Sequence, residues 1–403
     1  MLEFYEPCLN LMSNEDHSIM GAIVALKEPV EGKILQEVVD ELQVRFPYFY
    51  VKAVYSGDDI IAVPNSLPMT VRNTWNPISL NSEESNYHLA AWKYEEHRLS
   101  FEILHALTDG DGFLPYIKSV LFLYLSKATG ESFNPAGFRL PGDVMPASET
   151  GNPFMDISFD DIKAPFYKKK PIQDFFRLIT GMDNEKRVFY LKLNEANVMK
   201  YCRDKDASPN VLFSVLLAKA ARRYDPVSEK TITVSVIIDH KAILGNNDNY
   251  RLFVGEAVLD FLKSRETDDI VKSCTIARGQ LMLQAQPENS LWEIKQRKQM
   301  QPTPPQDIAQ ASICVSYPKS RSFGPLDPYI KELYIITSLS KITDILCEVS
   351  CINHSFFLSF IQPFSSEKYL ECFLRELRTA EIGYEIISSE PIRMCRIESM
   401  KKG

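Results

Sequence analysis

No uninterrupted stretch of about 18 apolar residues occurs in the 403-residue chain, so no membrane-spanning helix is expected. A signal-peptide pattern is missing too, because Glu3, Glu6, Glu15 and Asp16 interrupt the first apolar residues, and a cytoplasmic location is the expectation. Positive charge is in deficit. Forty-five Lys and Arg face 53 Asp and Glu, a net charge of −8, which excludes the clustered basic footprint of a nucleic-acid binder. Lys168-Lys169-Lys170 is the one notable basic run, and in its proline-flanked setting it reads as a solvated loop. The 8 cysteines, Cys8, Cys202, Cys274, Cys314, Cys347, Cys351, Cys372 and Cys395, lack zinc-ribbon spacing and read as buried free thiols. Cys347 and Cys351 would share one face of a strand, and even with His354 they would need a further ligand to hold a metal. No G-x-S-x-G elbow is present, and Asp239-His240 has no recognisable serine partner, so serine-type hydrolysis is not expected. No short-period repeat occurs. Hydrophobic residues at 45% and charged ones at 24% are those of a packed globular protein, and the length suits two domains.

Against these absences stands one compact constellation, His105-Ala-Leu-Thr-Asp109-Gly110. A chain with 6 histidines and 16 glycines meets H-x-x-x-D-G by accident about 0.014 times. Leu99–Leu104 before it reads as a strand. After it, Phe113, Leu114, Ile117, Val120, Leu121, Tyr124 and Leu125 recur at helical spacing up to Gly130. Asp111 is the expected N-cap and Pro115 is expected in the first helical turn. His105 is the candidate general base, since imidazole can take and return a proton near neutral pH. Asp109 reads as a brace, because a buried carboxylate needs a cation or backbone donors. Gly110 would supply positive φ and a close backbone approach. On residue chemistry alone, an ordinary turn with a hydrogen-bonded core histidine remains open beside this reading.

The stretch FEILHALTDGDGF resembles the HxxxDG signature of the chloramphenicol acetyltransferase and condensation-domain superfamily, closest to its microbial alcohol acetyltransferase-like branch. Thr231–Lys241 resembles that branch's second-domain strand, approximately V-P-V-N-L-R, and Asn249-Tyr-Arg-Leu-Phe-Val-Gly255 its N-x-x-G segment. Ala311–Tyr317 with Phe323–Leu326 takes the place of the crossover strand and its glycine loop. The chain departs from the pattern at Leu104, where many members carry a second histidine. It also has Lys241 in place of the commoner arginine and no D-F-G-W-G box. Lysine cannot form a bidentate pair with a carboxylate, so a Lys241 bridge to Asp109 would be the looser one.

The resemblance implies an α/β fold with mixed sheets: two chloramphenicol-acetyltransferase-like domains, residues 1–175 and 176–403, arranged as a pseudo-dimer around a tunnel entered from opposite faces. It implies transfer of an acyl group from a thioester to a hydroxyl acceptor, with His105 as base and Asp109 structural. The imidazole would be held in one tautomer by its own backbone carbonyl. Oxyanion or substrate-binding candidates are Ser316, Tyr317 and Gly324. No tightly bound cofactor and no metal are expected. Acyl-CoA is the expected cosubstrate, with an acyl carrier protein thioester and an amine acceptor as the condensation-type alternative. A noncatalytic binding module on the same fold is the reading from another class.

Along the chain, strands are expected at Met20–Leu26, Phe49–Tyr55, Ile60–Val63, Asn86–Lys93 and His97–Leu104, with a helix over Gly32–Arg45. Residues 131–185, rich in proline, read as a linker packed on the surface. Beyond it, strands are expected at Arg187–Leu193, Thr231–Ile238, Ser312–Tyr317, Tyr334–Ser338, Ile345–Ile352 and Phe356–Ile361. Helices are expected after Asn194, from Ser208-Pro209 to Tyr224, near Glu256–Lys263, over Asp268–Gln284 and over Ser366–Arg378. Gln301–Pro305 should break the chain.

Overall fold

A computed structural model describes residues 9, 12, 18–152, 157–178, 185–299, 311–318, 322–339, 343–397 and 400. Cys8 and the Gln301–Pro305 break lie outside them, as do residues 319–321 of the loop before Gly324.

The first half runs β1 (Ile19–Leu26), α1 (Gly32–Leu42), β2 (Val51–Ser56), β3 (Asp59–Pro64), β4 (Val71–Asn73), β5 (Ser79–Leu80), β6 (Ala90–Glu95), β7 (Arg98–Leu104) and α2 (Gly110–Thr129). The second half continues with β8 (Arg187–Asn194), α3 (Glu195–Asp204), α4 (Pro209–Tyr224), β9 (Ile232–Asp239), α5 (Lys241–Leu244) and β10 (Val254–Phe261). Then come α6 (Ile270–Gln284), α7 (Pro287–Gln299), β11 (Ile313–Ser316), β12 (Ile330–Thr337), β13 (Ile345–Ile352), β14 (Ser355–Gln362), α8 (Lys368–Thr379), β15 (Tyr384–Pro391) and β16 (Arg396–Ile397).

The strands form two main mixed sheets. One orders β12-β1-β7-β6-β4, and the other orders β10-β9-β11-β13-β14-β8-β15. The strand that crosses to the first-half sheet is therefore β12, not Ser312–Tyr317, because β11 lies parallel between β9 and β13. β12 instead pairs antiparallel with β1, Met20 opposite Thr337. β16 also crosses, pairing with β5, so two late strands complete the first half.

Alternation of side chains explains the layers. On β13, Leu346 and Ile352 face a core shared with Ile23, Phe101 and Ile336, whereas Cys347, Val349 and Cys351 face a second core built on α4 and α8. Helix α1 turns Leu35, Val38, Val39 and Leu42 inward, one stripe at 3.6-residue spacing.

Glu256–Lys263 is not helical. Val254–Phe261 is an edge strand paired antiparallel with β9 throughout, and the burial of Val258 between Ala257 and Leu259 breaks the alternation that would have marked it as a strand. The basic run is not a free loop either. Lys169 pairs with Asp260 of β10, and the Lys168 ammonium sits 4.8 Å from the Trp292 ring centroid. His354 is 97% exposed beside Glu195, while Cys347 and Cys351 are buried in the second core, so these three do not converge. Among the described residues no helix is long and apolar enough to cross a membrane.

Candidate active site

β7 ends at Leu104, and the chain turns sharply before α2. The Leu107 N–H meets the Leu104 carbonyl at 3.1 Å, and the Thr108 N–H meets the His105 carbonyl at 3.3 Å. From below, the Tyr48 hydroxyl donates to the Leu107 carbonyl at 2.6 Å. His105 is fixed from two further directions. Its N–H donates to the Ser18 carbonyl at 2.9 Å, and its Nδ1 lies 2.8 Å from the Thr108 carbonyl oxygen.

A carbonyl can only accept, so Nδ1 carries the ring proton and Nε2 presents its lone pair. No described residue bonds Nε2, and the ring is half-buried. The tautomer is held by Thr108, not by the histidine's own carbonyl, because that carbonyl is spent on closing the turn.

Asp109, not Asp111, caps α2. Its Oδ1 accepts from the Gly112 N–H at 2.9 Å, which starts the helix at Gly110 and leaves Asp111 inside the first turn. Pro115 is consequently the helix's sixth residue, two residues later than an Asp111 cap would have put it. The same carboxylate takes two more donors from the second half: Lys241 Nζ to Oδ1 at 2.6 Å and the Phe253 N–H to Oδ2 at 2.9 Å. Asp109 is 3% and Lys241 1% exposed, so this is a buried carboxylate held by three donors.

Lys241 stands just past β9, as the first residue of α5, where the Asp239 carboxylate accepts from its backbone N–H at 2.8 Å. A lysine suffices there because the backbone donors of Gly112 and Phe253 take two of the three remaining acceptor sites.

The essential glycine is Gly112. A Cβ there would lie 2.2 Å from the Tyr250 carbonyl oxygen and 2.4 Å from Thr108 Oγ1. Gly110 has no positive φ, and a Cβ would meet Pro318 and Met20 only at 3.9–4.0 Å. It borders the space before the site. The second glycine of Asp-Gly-Asp-Gly was therefore the signal for close backbone approach, and the reading placed that role on the first.

The linker braces this same corner. Asn249 Nδ2 donates to the Ser148 and Gly151 carbonyls at 2.9 and 2.8 Å, and the Tyr250 N–H to the Glu149 carbonyl at 2.7 Å. Glu149 binds Arg45 through two 2.8 Å bonds. Burial would raise the Glu149 pKa, but Arg45, the Tyr250 hydroxyl and Arg139 outweigh it and hold the carboxyl below its usual range.

The three oxyanion candidates separate. Ser316, at the end of β11, is in register with Glu348 of β13, and its hydroxyl favours the charged form of that carboxyl. Tyr317 packs its ring, tilted by 55°, with its centroid 5.6 Å from that of Phe356, against the second core. Gly324 begins a helical turn beside Lys118 of α2, whose Nζ donates to the Ser322 carbonyl at 2.5 Å. The turn after Ser316 does reach the site corner, since Pro318 faces Gly110.

No family model matches the sequence, and no curated protein matches it. Solved structures do. The chain is similar to F. graminearum TRI101 complexed with coenzyme A and deoxynivalenol, at 8% identity over 95% of this chain and 100% of that one, TM-score 0.62. It is similar to the first condensation domain of the calcium-dependent antibiotic synthetase, at 11% identity over 93% and 94%, TM-score 0.60. Polyketide synthase associated protein 5 from Mycobacterium tuberculosis matches at 14% identity over 91% and 95%, TM-score 0.58. The chain shares its fold with these three structures.

Proposed function

We propose that this protein is an acyltransferase that moves an acyl group from a thioester, acyl-CoA, to a hydroxyl acceptor. The observation that carries the reading is His105 itself, with Nδ1 anchored on the Thr108 carbonyl and Nε2 open. A histidine locked in this tautomer is a base with one direction of action. The coenzyme A bound by the Fusarium structure of the same fold supports that donor, and the deoxynivalenol beside it a small-molecule acceptor.

In this mechanism Nε2 takes the proton of the acceptor hydroxyl as its oxygen attacks the thioester carbonyl. The tetrahedral oxyanion that forms needs hydrogen-bond donors aimed at it, and the strand end closest to the His105 turn from the second half is that of β11, whose following Pro318 faces Gly110. Collapse expels the thiolate, and the imidazolium returns the proton to its sulfur. Asp109 takes no proton. Its three donors fix the turn that aims His105.

The division into acyltransferase-like domains at about residue 175 belongs to this proposal, with β12 and β16 crossing that divide. His105→Ala should keep the wild-type circular dichroism and lose about 10²–10⁴-fold of the acceptor-dependent thiol release from acetyl-CoA. A folded His105→Ala protein with the wild-type rate would sink the reading and favour a noncatalytic binding module.

A further inference from the structure

The face of the second sheet turned toward the first half carries a polar line across its apolar surface. Ser316, Glu348, Ser359 and Tyr190 are in register on the adjacent strands β11, β13, β14 and β8. Two residues along the same faces, Leu346 and Ile361 belong to the core shared by the halves. Glu348 is 4% exposed and Ser359 fully buried. Thr337 of β12 donates to Glu348 Oε1 at 2.8 Å.

Glu348 Oε2 and Ser359 Oγ are buried and bonded to no described residue. Buried polar atoms left without partners each cost about 1–3 kcal/mol, so a pair of them side by side asks for a ligand group that satisfies both. Among the described residues no cation pairs with Glu348. Burial raises its pKa, and the Ser316 and Thr337 hydroxyls oppose that less strongly. Burial without a paired cation disfavours the carboxylate, so the site suits a neutral hydrogen-bonding partner over an ammonium ligand.

The line lies close to the site. Thr337 pairs with Met20 on β1, Met20 pairs with Ile103 on β7, and His105 follows two residues later. Two interstrand steps of about 4.8 Å and two residues of about 3.4 Å along β7 put Thr337, the hydrogen-bond partner of Glu348, roughly 12 Å from His105. Met20 also reaches to 4.0 Å from the position of a Cβ on Gly110.

We infer that Glu348, with Ser359 beside it, binds a second neutral hydrogen-bonding group of the acceptor, such as a distal hydroxyl. The inference rests on His105 being the base for an alcohol, and it makes the acceptor bifunctional. A plain alkanol leaves the buried carboxyl unmatched, the situation in which a site built for a hydroxyl discriminates most.

The test compares 1,8-octanediol with 1-octanol, using acetyl-CoA as donor, on wild type, Glu348→Gln, Glu348→Leu and Ser359→Ala. Wild type should prefer the diol about tenfold in kcat/KM, roughly the worth of one hydrogen bond. Glu348→Leu should abolish that preference through KM, Ser359→Ala should reduce it, and Glu348→Gln, neutral and able to donate, should retain most of it. Equal losses for both alcohols, or a preference that survives in Glu348→Leu, would overturn the inference.

Calorimetric binding of 1,8-octanediol without donor separates the two ideas. If wild type acylates neither alcohol yet binds the diol in a Glu348-dependent way, the reaction is wrong and the binding site stands. If wild type binds no diol, or wild type and Glu348→Leu bind it alike, the inference falls whatever the rates. Should Glu348→Leu not fold, Glu348→Gln and Ser359→Ala decide: a wild-type preference unchanged in Ser359→Ala and lost in Glu348→Gln overturns it.

Discussion

Breaking the Asp109–Lys241 pair from each side measures how firmly the two halves hold the His105 turn. The pair is short, 2.6 Å, and almost entirely out of solvent. Asp109→Asn leaves a buried ammonium without its anion, a situation that costs about 3–5 kcal/mol. Lys241→Met should cost less, about 2–3 kcal/mol, because the carboxylate keeps the Gly112 and Phe253 N–H donors. The double variant removes both charges at once. Its loss should fall short of the summed single losses by at least about 2 kcal/mol. Guanidinium unfolding is the assay, followed by tryptophan fluorescence and by far-ultraviolet circular dichroism, with coincident transitions required before free energies are compared. Acyl transfer should fall in Asp109→Asn with its KM for acetyl-CoA little changed, since the carboxylate touches no reacting atom. Single losses that add within about 0.5 kcal/mol would refute the coupling and leave Asp109 as nothing more than a helix cap.

Two further outcomes follow from the geometry. Gly112→Ala, driven against the Tyr250 carbonyl, should destabilise by about 3 kcal/mol or more, whereas Gly110→Ala should stay within about 1 kcal/mol; denaturation midpoints that rank them the other way would refute the assignment. Burial lifts the Glu348 pKa in the folded state, so the wild type keeps its stability below the ordinary glutamate range and loses part of it as pH rises toward the folded value. Glu348→Gln cannot ionise, so its stability relative to wild type should climb with pH above about 4.5, and a difference flat from about pH 4 to 8 would show that Glu348 is not held neutral.

What the sequence disclosed was whatever is local and periodic. The strand before His105, the helix to Gly130 and the Ser208-Pro209 start of α4 depend on neighbours within a turn, and all three are present. The misplaced cap at Asp111 was a contest between two aspartates two residues apart, settled by Lys241 and Phe253, which lie more than 130 residues away. β10 was misread because an edge strand's pairing to β9 leaves no unambiguous local mark. β15 was missed because none of its residues is buried, so hydrophobic alternation is absent from it. Glu348 carries no motif at all. Its meaning comes from the register of β11, β13 and β14, which periodicity cannot supply.

The long-range bonds also explain why the motif has its length. His105 needs the Thr108 carbonyl to fix its tautomer, and Thr108 is placed only if the next residue is pinned. Asp109 is that residue, and two of its three donors come from the other half. The histidine is thus aimed by a carboxylate it never touches, through a turn of three intervening residues. A shorter spacing would remove the carbonyl that holds Nδ1, and a longer one would free the turn from its pin. The same logic makes Gly112 and Phe253 as much a part of the site as the histidine: one lets the backbone of the second half come close, and the other donates across that contact. The H-x-x-x-D-G spacing is on this view a structural requirement of bringing two sheets together behind one imidazole.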